Sequence, residues 1–240
     1  MSETFVYIFG VARKNEHRTA QKVMMEGEPR SLRAVNEGDL DFIVTDVSEE
    51  TLPPIEANVR GHKEALEAIM TEETVAPMSF GTILGDEQEA RRLLQAIYDP
   101  VSEAMPKIDN KIEVTVQINL TEEAFKSLFA HKKKKPRSYK GQLALGEEAK
   151  AVMDRYRTKH QESIGKPLGD LSASSILKEP STERTLFEGV FLIDREDEAA
   201  FDEAVNDLYS VWKEQTDFVY TGPWPAYSFV DMRFAAAERR

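Results

Sequence analysis

The chain has 240 residues, a hydrophobic fraction of 41% and no cysteine, and its 31 Lys and Arg against 43 Asp and Glu give a formal net charge of −12. That hydrophobic content supports a packed core, in one large domain or two small ones, and argues against wholesale disorder. Lack of cysteine excludes a disulfide framework, a thiol nucleophile and a Cys-ligated metal, and the acidic balance argues against a general nucleic-acid coat or an anionic membrane surface as main partner.

The longest apolar run, Phe5 to Ala12, falls far short of the roughly 20 residues that a bilayer span needs. It also lacks the basic flank and small-residue cleavage site of a signal peptide. The expectation is a soluble, intracellular globular protein.

The segment Thr4–Val11 carries β-branched and aromatic residues on both faces and reads as a strand buried on two sides. Asn15 to Arg30 is polar, with Gly27 and Pro29, and reads as a loop or short irregular helix. Leu32–Val35 and Leu40–Val47 flank the turn residues Asn36-Glu-Gly-Asp39, which predicts a hairpin. Leu52-Pro-Pro54 breaks regular structure. Val59, His62, Leu66, Ile69 and Met70 share one helical stripe. The run Val75–Leu84 reads as a strand that Pro77 confines to an edge or bulge. Asp86 caps a second helix burying Ala90, Leu93, Leu94, Ile97 and Val101. This order predicts an antiparallel sheet with helices on one face.

The two prolines between Pro100 and Asn110 mark a domain boundary, giving an N-terminal α+β domain over 1–105 and a C-terminal one over 110–240. Ile112, Val114, Val116, Ile118 and Leu120 alternate with Lys111, Glu113, Thr115, Gln117 and Asn119, a strand with one buried and one wet face. Thr121-Glu-Glu123 starts a helix. A long helical pattern through Ala149, Met153, Tyr156, His160 and Ile164 is broken by Gly165, Pro167 and Gly169, and a shorter helix follows from about Asp170 to Lys178. The pair forms a helical insertion at about 145–180. Leu186–Ile193 is a strand, Asp194–Glu214 an amphipathic helix, and Asp217–Thr221 and Tyr227–Phe234 are strands. Without the insertion this half is close to a ferredoxin-like α+β sandwich.

Chemistry-bearing motifs are missing. Neither GxGxxG nor GxxxxGK[ST] occurs, and GxSxG is absent. His17, His62, His131 and His160 lack the spacing of paired metal ligands. His62, on an apolar stripe, reads as a partly buried structural histidine, with a base role in a cleft as the enzymatic alternative. Acidic pairs such as Glu122-Glu123 sit at helix starts and loops. No cofactor or metal is implied.

Two segments stand out. His131–Lys140 holds six of the 31 basic residues, including Lys132, Lys133, Lys134 and Lys135, which leaves 25 against 43 acidic residues elsewhere. Such a run is a solvated loop tip, a contact for an acidic protein partner, or a nucleic-acid contact, and the missing aromatic RNA-binding signature makes nucleic acid the weakest of the three. Thr221-Gly-Pro-Trp-Pro-Ala-Tyr-Ser-Phe229 packs rings between prolines. Rings held that rigidly either plug the end of a sandwich or anchor a partner.

Five segments together resemble the GvpF/GvpL family of gas vesicle accessory proteins. They are Phe5-Val-Tyr-Ile-Phe-Gly10, Gly61-His62-Lys63-Glu64, Ala76-Pro-Met-Ser-Phe-Gly-Thr82, Lys111-Ile-Glu-Val-Thr-Val116 and Thr221–Phe229, with Ala226 where the family usually carries a second proline. The resemblance implies a non-enzymatic role in assembling gas vesicles. It implies two α+β domains related to ferredoxin-like arrangements, with extra helices in the second. The implied partners are the hydrophobic main shell protein, GvpA, whose aggregation the family is thought to limit, and other accessory proteins. The implied location is the gas vesicle, with a cytoplasmic stage during assembly. Candidate partner-binding residues are Pro77, Met78, Phe80, Gly81 and Thr82 on the expected edge strand, Trp224 and Tyr227 in the proline-rich block, and Lys132 to Lys135.

Overall fold

The structure is a computed structural model that describes residues 4–18, 21–129 and 138–230. Its contacts divide the chain into two units, Met1–Ile112 together with Trp224–Arg240, and Glu113–Pro223. The first change of unit falls between Ile112 and Glu113, and the described residues from Trp224 onward group with the first unit.

The first unit contains β1 (Phe5–Arg13), β2 (Lys22–Met25), β3 (Glu28–Ser31), β4 (Arg33–Glu37), β5 (Leu40–Val47), α1 (Glu56–Glu72), β6 (Val75–Pro77), β7 (Ile83–Leu84) and α2 (Glu87–Ile108). Its main sheet has the order β4-β5-β1-β6, with β7 also pairing with β1, and these pairings are antiparallel. Every residue of β1 from Val6 to Ala12 is buried, as expected for a central strand covered on both faces. β6 lies at the end of the order, so Pro77 does sit on an outer strand.

Several elements differ from the sequence reading. The polar stretch Asn15–Arg30 contains the β2–β3 hairpin in place of a loop or helix. Its turn puts both Glu26 (φ 54°) and Gly27 (φ 77°) in the left-handed region, as a two-residue hairpin turn requires. On α1, Val59 is 43% exposed, and Asn58 is buried instead, donating from Nδ2 to the Pro53 carbonyl. Helix α2 runs through Pro100, as the expected burial of Val101 implies, and on through Pro106 to Ile108, into the stretch expected as a domain boundary. Burial of Val101, Ala104, Met105 and Ile108 on that stretch offsets the hydrogen bonds the prolines forfeit. Asp86 caps α2 as expected, its side chain accepting from the Glu89 N–H.

The second unit takes up β8 (Lys111–Leu120) and continues with α3 (Glu122–Leu128), α4 (Tyr139–Gly169), β9 (Ser174–Leu177), β10 (Thr185–Asp194), a 3-10 turn at Arg195–Asp197, α5 (Glu198–Trp212) and β11 (Thr216–Trp224). Its sheet order is β11-β8-β10-β9. The succession β-α-β-β-α-β is consistent with a ferredoxin-like arrangement. Alternation in β8 follows expectation except at Glu113, which is buried. Thr121 caps α3 through the Ala124 N–H.

Three further expectations are corrected here. Helix α4 continues through Gly165 and Pro167, held by the buried Ile164 and Leu168, so the helical insertion is a single helix over 139–169. The segment expected as a short helix to Lys178 is instead β9, which pairs with β10. The described part of the expected strand Tyr227–Phe234 is a turn, with the Phe229 N–H donating to the Ala226 carbonyl.

Candidate functional site

Four of the segments singled out in the sequence meet inside the first unit. Tyr7 and Phe9, two residues apart, project from one face of β1. Helix α1 brings His62 to them. Gly61 makes this approach possible, because a Cβ there would lie 2.0 Å from the Met24 carbonyl oxygen of β2. After β6, the chain follows β1: the Met78 N–H donates to the Phe9 carbonyl, and the Ile8 N–H donates to the Thr82 carbonyl. Phe80 and Gly81 lie between these anchors, with Gly81 at φ 82°, a conformation that favours glycine. The C-terminal block joins the cluster through Tyr227.

His62 is the centre. Its Nδ1 lies 2.8 Å from the Tyr7 hydroxyl and its Nε2 3.3 Å from the Tyr227 hydroxyl. The Gly81 N–H donates to the Tyr7 oxygen at 3.2 Å. Each ring nitrogen therefore has a tyrosine hydroxyl as hydrogen-bond partner, and the Tyr7 oxygen also accepts from Gly81. The imidazole stacks on Phe9 (centroids 5.7 Å, 22°) and meets the Phe80 ring edge-on at 5.9 Å. Burial lowers the His62 pKa to about 4, partly opposed by hydrogen bonding to the Met78 backbone. Burial likewise pushes the Tyr7 hydroxyl well above its ordinary value. Outside the cluster, the Lys63 ammonium sits over the Trp224 ring, 4.2 Å from its centroid.

The candidate partner-binding residues fall into distinct environments. Pro77 and Met78 are buried, Met78 to 2%. Phe80, Thr82 and Trp224 are half-buried, while Gly81 and Tyr227 are exposed. Lys132, Lys133, Lys134 and Lys135 lie outside the described residues. The partnership of Tyr7 and Phe9 with His62 carried no local sequence signal, although both residues stood in a singled-out segment. The cluster is an uncharged hydrogen-bonded core, buried at Tyr7, Phe9 and His62 and reaching the surface at Tyr227. Among the described residues there is no group of His, Cys, Asp and Glu able to hold a metal ion, and no helix long and apolar enough to cross a membrane.

These features define a two-unit α+β protein with antiparallel sheets, its singled-out segments spent largely on one internal cluster. Residues 5–231 match the family model for the gas vesicle synthesis protein GvpL/GvpF, and the chain belongs to that family. It is 28% identical over 204 residues to gas vesicle protein F1 of Halobacterium salinarum, covering 84% of this chain and 82% of the relative. It is 25% identical over 238 residues to gas vesicle protein F of a Streptomyces species, covering 94% and 99%. The crystal structure of GvpF from an Anabaena species superposes with a TM-score of 0.83 at 18% identity, over 96% of this chain and 98% of that one. GvpF from Microcystis aeruginosa gives 0.81 at 16% identity, over 95% and 99%.

Proposed function

We propose that this gas vesicle accessory protein is an assembly factor that binds the hydrophobic main shell protein, GvpA, and limits its aggregation while the vesicle nucleates and grows. Family membership across residues 5–231 supports the gas vesicle role. The observation that carries the holding role is the distribution of exposed apolar side chains. Both outer strands of the second sheet display them: Ile176 and Leu177 on β9 are 37% and 52% exposed, and Val219 and Tyr220 on β11 are 45% and 37% exposed. Outer strands with apolar side chains offer what a sticky subunit needs, unpaired backbone groups beside apolar surface. The net charge of −12 keeps such a surface in solution.

The role is non-enzymatic in this reading. His62, the base candidate singled out in the sequence, is buried between two tyrosine hydroxyls, and burial lowers its pKa to about 4, which makes it a weak base. The protein acts in the cytoplasm during assembly, at the nascent vesicle and alongside other accessory proteins. Co-expression of the tagged chain with the main shell protein tests the reading. Recovery of soluble shell protein with the tag supports it, and shell protein found wholly in the pellet, with none on the tag, overturns it.

A further inference from the structure

The second unit contains a cavity of about 360 Å³ between α4 and the β9–β10 face. Its floor is the Phe187 and Phe191 rings, stacked with centroids 6.3 Å apart. It stays open because two glycines face it. Gly165 of α4 and Gly189 of β10 contribute no side chain, and a Cβ at Gly189 would lie 2.9 Å from both rings.

The cavity adjoins an outer sheet edge, unpaired among the described residues, on the same face. β9 is the outer strand of its sheet, and all four of its residues are exposed. The Lys178 N–H donates to the Glu188 carbonyl, and the register pairs Ile176 with Val190 and Leu177 with Gly189. In an antiparallel pair, backbone groups alternate inward and outward. Ile176 therefore turns its N–H and C=O towards β10, while those of Ser175 and Leu177 point outward from the sheet. The side chains of Ser175 and Leu177 share the face of their partners Phe191 and Gly189, which is the face the cavity opens on. A strand added beside β9 would place every second side chain against that opening.

The rim supplies a charge. Lys166 is paired with Asp170 at 2.8 Å. Glu162, also on the cavity wall, is exposed and interacts electrostatically with Lys166. A basic side chain on the incoming strand complements it, as does the acidic character of the whole chain.

We propose that the outer edge of β9 is a strand-addition site for an extended segment of the shell protein, with an apolar side chain seated in the α4–β10 cavity and a basic side chain at Glu162. This rests on the reading that the chain binds the main shell protein, and it names the surface and the mode. Backbone pairing supplies affinity there, and the cavity supplies selection for an apolar residue.

The test uses the full-length chain co-expressed with the main shell protein, with captured shell protein quantified and amide hydrogen exchange measured on the free chain and on the complex. Ser175→Pro removes one outward N–H and blocks pairing, and Leu177→Asp places a charge at the cavity mouth. Each is expected to reduce capture about tenfold or more. Glu162→Lys, on an exposed helix surface, is expected to reduce it by several-fold, to a degree that shrinks with added salt. This variant keeps the test decisive if either strand variant fails to fold by circular dichroism. The Ser175 and Leu177 amides are expected to exchange freely in the chain alone and to become protected in the complex. Unchanged capture by folded variants, with those amides unprotected, overturns the site while leaving shell binding intact. An unaltered chain that captures no shell protein overturns both.

Discussion

The Nε2 of His62 lies 3.3 Å from the hydroxyl of Tyr227, a hydrogen bond between residues 165 positions apart. On the other side of the ring, Nδ1 meets the Tyr7 hydroxyl at 2.8 Å in a fully buried setting. One imidazole thus ties the opening strand, the first long helix and the proline-rich C-terminal block into one unit. The two bonds are unequal, because Tyr7 is wholly buried whereas Tyr227 is 40% exposed and has water as an alternative partner. Tyr7→Phe leaves Nδ1 and the Gly81 N–H without their partner and is expected to cost about 1–3 kcal/mol, against less than about 1 kcal/mol for Tyr227→Phe. Urea unfolding of the two variants measures the difference.

The same imidazole makes stability depend on pH. Its pKa falls from the ordinary 6.5 to about 4 on burial, so between those values the unfolded chain binds more protons than the native one. Its contribution is present above pH 6.5 and is lost as pH falls towards 4. Between pH 7 and pH 5 the loss is about 2 kcal/mol from this residue. His62→Phe is expected to be less stable at pH 7 but to show a shallower fall over that interval. An equal fall in both proteins would assign the slope to carboxylates.

Glycines at two helical positions are expected to respond in opposite directions. At Gly61 a Cβ would strike the Met24 carbonyl oxygen, so α1 must move away from β2. Gly61→Ala is expected to cost about 1–3 kcal/mol, in the range of overpacked cores. Gly146 in α4 is exposed with nothing within 4 Å, and Gly146→Ala is expected to gain about 0.5–1 kcal/mol. Thermal unfolding reads both.

Arg18 bridges Asp41 at 2.8 Å and Glu73 at 2.6 Å, and the Asp41 side chain is only 4% exposed. Both carboxylates hold the Arg18 pKa up against the burial that would lower it. Arg18→Met strands a buried negative charge and is expected to destabilise by about 3 kcal/mol. The double variant Arg18→Met/Asp41→Asn is expected to recover part of that loss, which a double-mutant cycle quantifies.

Legibility in the sequence tracked how local the governing physics is. The alternation of Ile112 to Leu120 and the Asp86 cap depend on near neighbours, and both were readable. The β2–β3 hairpin was not, because Glu26-Gly27 lacks the usual Asn-Gly or Asp-Gly signature and β3 is polar. β9 shows no alternation, since all four residues are exposed, and Ser-Ser-Ile-Leu reads equally well as helix. Pro167 suggested a break that buried neighbours such as Ile164 and Leu168 override. At the site, His62, Phe80 and Tyr227 could each be picked out, but their meeting depends on contacts between distant segments that no spacing encodes.

Dilution of the main shell protein out of denaturant, followed by light scattering with and without an equimolar amount of this chain, tests the holding role most directly. Scattering is expected to fall in proportion to the chain added, with shell protein co-eluting in a soluble complex. Scattering that reaches the same plateau whatever the amount of chain, with no co-elution, would refute that role.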